Sequence, residues 1–398
     1  MQTIRKITDE ISYIGANDRR LALFENLFPI ENGVSYNTYF IDDEKTAVMD
    51  TIDRFVADQF FDNIDYLLQG RSLDYLVIHH MEPDHGANVG RMLQLYPQMK
   101  VVCNAKTQQM IGQFFGIDIS QRVIIVKEGD TLCLGKHTLH FVMAPMVHWP
   151  EVMMSFESRT GILFSADAFG SFGALDGGIF NDEINIDDAW YSEARRYYSN
   201  IVGKFGVQVQ AVLKKAGSLD IKAIAPLHGV IWRSNIGEFI EKYNLWSSYI
   251  PEQKGVLIAY ASMYGNTENV ANALALELCE RGVGNIEVKD VSVTDVSYLI
   301  SLVFKYSHIV IASATYNLNI YPKMQHFIED MKALNVQNRT VALIENGSWA
   351  PGVIKNATEI FSSMKDITIM EEKVLIKSSL RDNVTLDALA DAIAKQVK

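Results

Sequence analysis

From about residue 254 onward the chain alternates short apolar runs with amphipathic stretches, and this alternation constrains the fold more than any other feature. GVLIAYAS, HIVIASATY and VALIENGS are typical of buried strands, because each is a short apolar run bounded by polar or turn residues. TENVANALALELCERG, MQHFIEDMKAL and DALADAIAKQV place apolar residues at helical spacing. Strands that alternate with helices in this way predict a doubly wound parallel sheet.

The residues before Tyr249 follow a less regular pattern. Apolar runs such as YLVIHH, VVCNA, RVIIV, LHFVMAP, GILFSAD and IKAIAPLHG alternate with helical stretches and turns rich in glycine and aspartate. The segment SSYIPEQKG around Pro251 combines polar residues with one proline, which is typical of a linker. We therefore expect two α/β domains, residues 1–250 and residues 254–398, and the chain length of 398 residues agrees with this division.

Charge and cysteine content exclude several classes of protein. Lys and Arg number 36 against 48 Asp and Glu, and the net charge of -12 argues against a general affinity for nucleic acid or anionic membranes. No apolar run is long enough to span a bilayer, and MQTIRKITDE lacks the features of a signal peptide, so we expect a cytoplasmic protein. Cys103, Cys133 and Cys279 form no CxxC pair, which excludes a disulfide framework and a four-cysteine metal site.

A dense group of possible metal ligands follows the strand DYLVIHH. Four of them occupy six consecutive residues, and three more follow later apolar runs, where a strand meets a loop. Ionised carboxylates and imidazoles drawn together in this way are costly unless they bind cations. We therefore predict a site for two metals with a bridging carboxylate. The candidate ligands are His80, Glu82, Asp84, His85, His148, Asp167 and His228.

Each candidate also has a purely structural interpretation when it is taken alone. His148 or His228 by itself would more often be a core or surface histidine, and Asp167 by itself could begin a turn. His79 lies outside the motif, and we interpret it as a structural residue or as a neighbour that supports a ligand. The complete set and its position at strand ends favour the metal site.

Three strand ends in the second half indicate a second ligand. The first ends in SMYGNT before a helix, where hydroxyls and backbone N–H groups can hold a phosphate without Lys or Arg. Neither GxxxxGK[ST] nor GxGxxG is present, so a nucleotide triphosphate or a dinucleotide is not supported. Tyr316 and Trp349 at the other two ends could flank a planar ring, although Trp349 could also be a core residue. The candidate residues are Ser262, Met263, Tyr264, Gly265, Asn266, Thr267, Thr315, Tyr316, Asn317, Asn346, Gly347, Ser348 and Trp349.

The HxExDH motif, with the later His148, Asp167 and His228, resembles the metallo-β-lactamase superfamily and, more closely, the flavodiiron proteins, or A-type flavoproteins. Typical hydrolases of that superfamily carry His where this chain carries Glu82, and the harder oxygen donor favours iron or manganese over zinc. SxxGNT and the pattern around it resemble flavodoxin. The resemblance implies an N-terminal αββα metallo-β-lactamase-like sandwich and a C-terminal flavodoxin-like doubly wound parallel sheet.

The resemblance also implies which residues hold each cofactor. His80, Glu82 and His148 would hold one iron, Asp84, His85 and His228 the other, and Asp167 would bridge them. In some family members the residue that matches His85 is displaced from the metal. Ser262, Tyr264, Gly265, Asn266 and Thr267 would bind the phosphate of FMN, and Thr315, Tyr316, Asn317, Gly347 and Trp349 would lie near its isoalloxazine ring.

Taken together, the two sites predict an oxidoreductase. Two ferrous ions and reduced FMN can supply four electrons, which matches reduction of dioxygen to water, and two electrons suffice to couple two nitric oxides to nitrous oxide. The family resemblance names the same two reactions and a head-to-tail homodimer, or a dimer of dimers. Without CxxC pairs or a dinucleotide motif in the chain, electrons are expected from a separate carrier, by resemblance rubredoxin or a reduced deazaflavin coenzyme.

Two other interpretations remain open at this stage. One is a metallo-hydrolase of the β-lactamase superfamily with an accessory flavodoxin domain, which Glu82 and the flavin site argue against. The other is an electron carrier whose metal site is vestigial, which the complete ligand set argues against.

Overall fold

The computed structural model describes residues 2–381 and 384–397, with the side chains of residues 384 and 385 left out of the description. Met1 and Lys398, the outer ends of the two predicted domains, lie outside these residues. The chain forms two compact units. The first runs to Tyr198 and resumes over Val207–Tyr243, and the second comprises Ser199–Gly206 and the chain from Asn244 onward.

Two larger sheets form the first unit. The first sheet has the strand order β1-β2-β7-β8-β9-β10-β11, antiparallel as far as β8 and parallel beyond it, and the second has the order β12-β13-β14-β15-β16, in which only β15 and β16 are parallel. The strands are β1 (Arg5–Lys6), β2 (Ile11–Tyr13), β3 (Ala16–Asp18), β4 (Leu23–Phe24), β5 (Phe28–Pro29), β6 (Val34–Tyr36), β7 (Tyr39–Ile41), β8 (Ala47–Met49), β9 (Tyr75–Val77), β10 (Lys100–Cys103), β11 (Val123–Ile125), β12 (Thr131–Cys133), β13 (Thr138–Met143), β14 (Met153–Glu157), β15 (Ile162–Phe164) and β16 (Ala223–Ala225). β3 pairs with β6, and β4 pairs with β5.

The helices of the first unit connect these strands. They are α1 (Ala57–Leu68), α2 (Pro83–Gly86), α3 (Val89–Leu95), α4 (Ala105–Phe115), α5 (Asp188–Tyr197), α6 (Gly206–Ala216) and α7 (Ile236–Ser247), of which the first residue of α6 and the end of α7 belong to the second unit. Asn104 and Asp187 cap α4 and α5, because their side chains accept hydrogen bonds from two backbone N–H groups each. α2 begins with Pro83, which fits the first turn of a helix because its missing N–H would have no partner there.

The second unit contains a sheet of order β18-β17-β19-β21-β22 whose five strands are all parallel. β20 pairs antiparallel with β19, and β23 pairs parallel with β21. The strands are β17 (Gln253–Ala261), β18 (Ile286–Asp290), β19 (Tyr306–Tyr316), β20 (Asn319–Ile320), β21 (Arg339–Asn346), β22 (Ile367–Ile369) and β23 (Val374–Ile376), and the helices are α8 (Asn266–Glu280), α9 (Val296–Lys305), α10 (Pro322–Ala333), α11 (Val353–Ser362) and α12 (Val384–Val397). Fully buried strand residues such as Ile258 and Val310 pack against Leu274 of α8 in one apolar core.

The segment predicted to be a linker is more ordered than its composition suggests. β17 already begins at Gln253, inside that segment, and Tyr249 is buried. The Tyr249 hydroxyl donates to the carbonyl of Gly203 at 2.9 Å, and its own carbonyl accepts from Arg339 at 2.6 Å. Burial lowers the pKa of Arg339 to about 9. Its guanidinium donates to backbone carbonyls alone among the bonds described, and these bonds connect this segment to the end of α9 within the second unit.

No helix within the described ranges is both long enough and apolar enough to cross a lipid bilayer.

Candidate functional site

The predicted metal ligands come together in the first unit as two groups of side chains. They lie after β9, between β13 and β14, after β15 and after β16, so both large sheets contribute to the cluster. One group is His80, Glu82, His148 and Asp167, and the other is Asp84, His85 and His228. Each group can point one ligand atom per residue at a common centre, because those atoms lie within 4.8 Å of one another.

Distances in the first group fit coordination of one ion. Nε2 of His80 lies 3.1 Å from a carboxylate oxygen of Glu82 and 3.1 Å from Oδ2 of Asp167. Nε2 of His148 lies 3.0 Å and 3.2 Å from the same two oxygens. Ligand atoms about 2.1 Å from a shared metal, at right angles to each other, are about 3 Å apart. The four side chains are therefore spaced like neighbouring ligands of one metal.

The second group meets the first at Asp167. Nε2 of His85 lies 2.9 Å from Nε2 of His228, and both lie 3.3 Å from Oδ2 of Asp84. Oδ1 of Asp167 is 3.4 Å from His85 and 3.6 Å from His228, whereas its Oδ2 faces the first group. A carboxylate with one oxygen toward each group has the geometry of a bridging ligand.

Buried oxygens without hydrogen-bond partners also fit cations. Both carboxylate oxygens of Asp84 and Oδ1 of Asp167 are buried and accept no hydrogen bond within the described residues. Buried ionised oxygens of this kind are rare in proteins unless they are paired or bind a metal. The donor set therefore suits two divalent ions with mixed nitrogen and oxygen ligands.

Neighbouring groups orient the imidazoles. Nδ1 of His80 donates to Oε1 of the buried Glu151 at 2.8 Å, and Nδ1 of His228 donates to the backbone carbonyl of Ser35 at 2.8 Å. Each bond leaves Nε2 of that ring free to turn its lone pair toward the cluster. Glu151 and Ser35 were not predicted from the sequence. Glu151 follows a proline in a polar turn, and a backbone carbonyl carries no signal in a sequence.

His79 does not join the cluster. Its Nδ1 lies 2.5 Å from Asp50 and its Nε2 lies 2.8 Å from the hydroxyl of Ser155, so both ring nitrogens already have partners. The Asp50 carboxylate also accepts from the backbone N–H groups of His79 and His80. Asp50 adopts a left-handed backbone with φ of 60°, which is unusual for a residue other than glycine. It therefore fixes the turn from which the first ligands emerge.

The side chains of the cluster also shift one another's pKa values. Burial alone would lower the pKa of His148, but hydrogen bonds to Asp167 and Glu82 outweigh it and raise this pKa to about 9. Burial alone would raise the pKa of Asp167, but the charge of His80 and hydrogen bonds from the histidines hold it well below its usual value. Asp167 therefore stays ionised over the physiological range, as a bridging ligand requires.

The second candidate site is a cavity of about 420 Å³ in the second unit, at the carboxyl ends of β17, β19 and β21. It is lined by all the predicted residues except Gly265, together with Ala314, Leu318 and Ser378, which the sequence analysis missed. Gly265 lies at the N-terminus of α8, with φ of 91°, and its N–H donates to the Ser262 hydroxyl at 3.0 Å. Trp349 is 73% exposed, so it is not a core residue.

The residues of this cavity suit a ligand that has both a phosphate group and a planar ring. Ser262, Asn266 and Thr267 place hydroxyl and amide groups at the first turn of α8, where the helix dipole favours an anion. The described lining contains no charged side chain. Tyr316 and Trp349 are available to flank a planar ring. A flavin mononucleotide fits both features and a volume of this size.

Comparison with known proteins supports the predicted family of each domain. Residues 34–229 match the model of the ODP family beta lactamase, and residues 258–364 match the flavodoxin model. A nitric oxide reductase of Moorella thermoacetica is 31% identical, with 92% of this chain and 91% of that protein covered. An anaerobic nitric oxide reductase flavorubredoxin of Vibrio vulnificus is 30% identical over 87% of this chain and 71% of that protein.

Solved structures agree with these relatives. The rubredoxin oxygen:oxidoreductase from the anaerobe Desulfovibrio gigas superposes with a TM-score of 0.91 at 27% identity, covering 99% of this chain and 98% of that one. The flavodiiron protein from Giardia intestinalis has the same TM-score at 24% identity, covering 100% and 99% of the two chains, and shows likeness of fold. The predicted fold class is confirmed: a metallo-β-lactamase-like domain is followed by a flavodoxin-like domain.

Proposed function

Because the chain belongs to the flavodiiron protein family, we propose that it reduces dioxygen to water, nitric oxide to nitrous oxide, or both, at its metal cluster. Its cofactors are FMN and a pair of iron ions. One observation carries the proposal: Asp167 places one oxygen in each of two ligand groups, in a chain that also has a flavin-sized cavity. A hydrolase of the β-lactamase superfamily would not need a flavin for its reaction.

The proposed ligand assignment follows the two groups. His80, Glu82 and His148 would hold one iron, Asp84, His85 and His228 the other, and Asp167 would bridge them; the distances given above support this arrangement. When bound, the iron pair and FMN supply the electrons for gas reduction. The residues of the chain hold the cluster together: Glu151 and the Ser35 carbonyl keep the proton of His80 and of His228 on Nδ1.

The proposed FMN assignment divides the second site in two. Ser262, Tyr264, Gly265, Asn266 and Thr267 would bind the phosphate, and Thr315, Tyr316, Asn317, Gly347 and Trp349 would lie near the isoalloxazine ring. Met263, Asn346 and Ser348 complete the proposed set. We place the diiron domain at residues 1–250 and the FMN domain at residues 254–398, and the two matched ranges fall inside these bounds.

We propose that electrons come from an external carrier, with rubredoxin as the first choice, because one relative is named a rubredoxin oxygen:oxidoreductase. We further propose a head-to-tail homodimer that brings the FMN of one subunit to the iron pair of its partner. Tyr264, Leu318 and Trp349 are exposed at the FMN cavity, and a second subunit would cover this apolar surface. Exposed free thiols at Cys133 and Cys279 suit the reducing cytoplasm.

The test is gas consumption by anaerobically purified protein that is fed with reduced rubredoxin. We expect consumption of dioxygen, nitric oxide or both, and the ratio of the two rates assigns the physiological substrate. Asp84→Asn and His148→Ala should abolish consumption while FMN remains bound and reducible. Asp58→Asn and His140→Ala are matched controls outside the cluster and should retain activity.

Undiminished consumption in both cluster variants would contradict the metal assignment. Zinc-dependent ester or lactam cleavage that survives removal of FMN would instead favour the hydrolase.

A further inference from the structure

A row of packed aromatic rings in the first unit runs from a residue close in sequence to Asp167 to a partly exposed tryptophan. It starts at Phe169, two residues after Asp167, and continues through Tyr243, Phe239 and Trp232 to Trp190; we call these five residues the aromatic row. Ring centroids lie 4.3 Å apart for Phe169 and Tyr243, 5.3 Å for Tyr243 and Phe239, 4.3 Å for Phe239 and Trp232, and 5.3 Å for Trp232 and Trp190.

The backbone holds the row in place at Phe169 and at Trp232. Phe169 is buried, has a left-handed backbone with φ of 68°, and donates its N–H to the Tyr243 hydroxyl at 2.6 Å. Trp232 is held by its backbone, which exchanges two hydrogen bonds with Ile224 in β16, the strand that precedes His228. Both segments that anchor the row therefore also carry candidate ligands.

The types of side chain in the row are informative. Tyrosine and tryptophan lose one electron more readily than phenylalanine, and the ring centroids of Trp190 and Trp232 lie only 5.3 Å apart. Trp232 is 1% exposed, and its indole N–H has no hydrogen-bond partner within the described residues. A phenylalanine would fill a core without that cost, so packing alone does not account for tryptophan at this position.

We infer that the aromatic row removes oxidising equivalents from the metal cluster when FMN cannot supply electrons. This inference rests on the proposed function, in which reduction of dioxygen requires four electrons, two from iron and two from FMN. Iron held by the candidate ligands would, with FMN oxidised, supply only two of these four electrons, so further electrons would have to come from side chains of the protein. Trp232 would supply one electron inward along the row, past Phe239, Tyr243 and Phe169, and would regain one from Trp190.

The proton lost on oxidation leaves from Trp190, at the outer end of the aromatic row. Among the described residues, none accepts a hydrogen bond from the indole N–H of Trp232, so the oxidised ring keeps its proton and Trp190 gives it an electron. Trp190 is partly exposed in a surface cavity, where it can release its indole proton to water. A small thiol of the surrounding solution then donates one hydrogen atom, that is, one electron and one proton, which restores Trp190 and leaves a thiyl radical.

The test uses protein that contains iron and oxidised FMN. Ferrous iron is added under argon to metal-free, FMN-loaded protein, and the sample is mixed with dioxygen and freeze-quenched for EPR. We expect a tryptophan radical whose spectrum narrows when the protein carries ring-deuterated tryptophan. Trp190→Phe should shift the signal to Trp232, and Trp232→Phe should remove it. Tyr66→Phe, which removes an exposed ring of α1, is the control and should leave the signal unchanged.

A second readout is the pattern of oxidative damage. Peptide mass spectrometry after repeated exposure to dioxygen should show several-fold more oxidation near Phe169 and Tyr243 in Trp190→Phe and Trp232→Phe than in the wild type or the control. Gas consumption with excess reduced rubredoxin should stay unchanged in Trp190→Phe, because the row is idle while FMN is reduced.

The outcomes separate the two proposals. Gas consumption without any tryptophan radical after mixing with dioxygen overturns the role of the row and leaves the proposed function standing. If all variants show the same radical and the same damage, the proposed role of the row is also overturned. Iron-loaded protein that consumes neither gas overturns the proposed function and the row together.

Discussion

Gly229, the residue after His228, offers a quantitative test of how the second ligand group is built. It has φ of 75°, and a Cβ at this position would overlap the Ser171 hydroxyl and lie 3.1 Å from the Ser171 backbone nitrogen. Its N–H donates to the Ser35 hydroxyl at 2.7 Å, and its carbonyl accepts from Asn37 at 2.8 Å. These bonds limit how far the backbone can move away from an added methyl group.

Gly229→Ala should therefore destabilise the first unit by two separable effects. A left-handed backbone costs an L-residue about 1–2 kcal/mol, and overpacking in a close-packed interior costs about 1–3 kcal/mol. We expect a loss of about 3 kcal/mol in the free energy of unfolding of this unit. Lower iron occupancy should accompany it, because a backbone shift at Gly229 moves His228.

The assay is urea unfolding of metal-free protein, followed by tryptophan fluorescence and fitted as separate transitions for the two units. Gly70→Ala is the matched control, because Gly70 has φ of 86° and no atom lies within 4 Å of its added Cβ. It should show the backbone cost alone, about 1–2 kcal/mol. Ser171→Ala combined with Gly229→Ala should recover most of the overpacking cost.

Two results would refute this reasoning. One is a Gly229→Ala variant no less stable than Gly70→Ala, since the overlap with Ser171 would then cost nothing. The other is a double variant no more stable than Gly229→Ala alone, since the overlap would then lie elsewhere.

Three further predictions concern the two cofactor sites. The pKa of His148 is raised from an ordinary 6.5 to about 9, so the charged imidazole stabilises metal-free protein fully below pH 6.5, and this stabilisation is lost as the pH rises through 9. The melting temperature of metal-free protein should therefore fall between pH 6 and 9.5. In His148→Gln this fall should be smaller. Glu151→Gln should weaken iron binding by about 10- to 100-fold, measured by competition with a chelator; unchanged affinity would contradict its role on His80. Thr267→Val with Asn266→Leu should weaken FMN binding, measured by flavin fluorescence, and unchanged flavin content would contradict the phosphate site.

The ligand-bearing strand ends could be predicted because strand and ligand are adjacent in the sequence. Tyr75–Val77 leads within a few residues to His80, and Ile162–Phe164 leads to Asp167, so an apolar run and a charged residue appear together. The flavodoxin-like half was predictable for the same reason, since its strands are long and its helices amphipathic. The contact between these segments could not be predicted, because His148 and Glu82 come from different sheets and lie far apart in the chain.

Other features had no sequence signal to detect. Strands such as Leu23–Phe24 and Phe28–Pro29 are two residues long and too short for any periodicity. Ser378 lines the FMN cavity from a stretch that follows β23 and lacks an aromatic residue or a glycine motif. The linker composition was misleading because the Tyr249 carbonyl accepts a hydrogen bond from the buried Arg339, and composition does not reveal such pairing.

The spread of the ligands along the chain sets an order of events during synthesis. Four of the seven candidates emerge from the ribosome together, within residues 80–85, but the second group remains incomplete until His228 has been made. A nascent chain that stops before this residue presents clustered carboxylates and imidazoles without a finished site. The iron pair is therefore expected to assemble only after more than half of the chain has been translated. Its assembly does not require that the FMN domain has been completely translated.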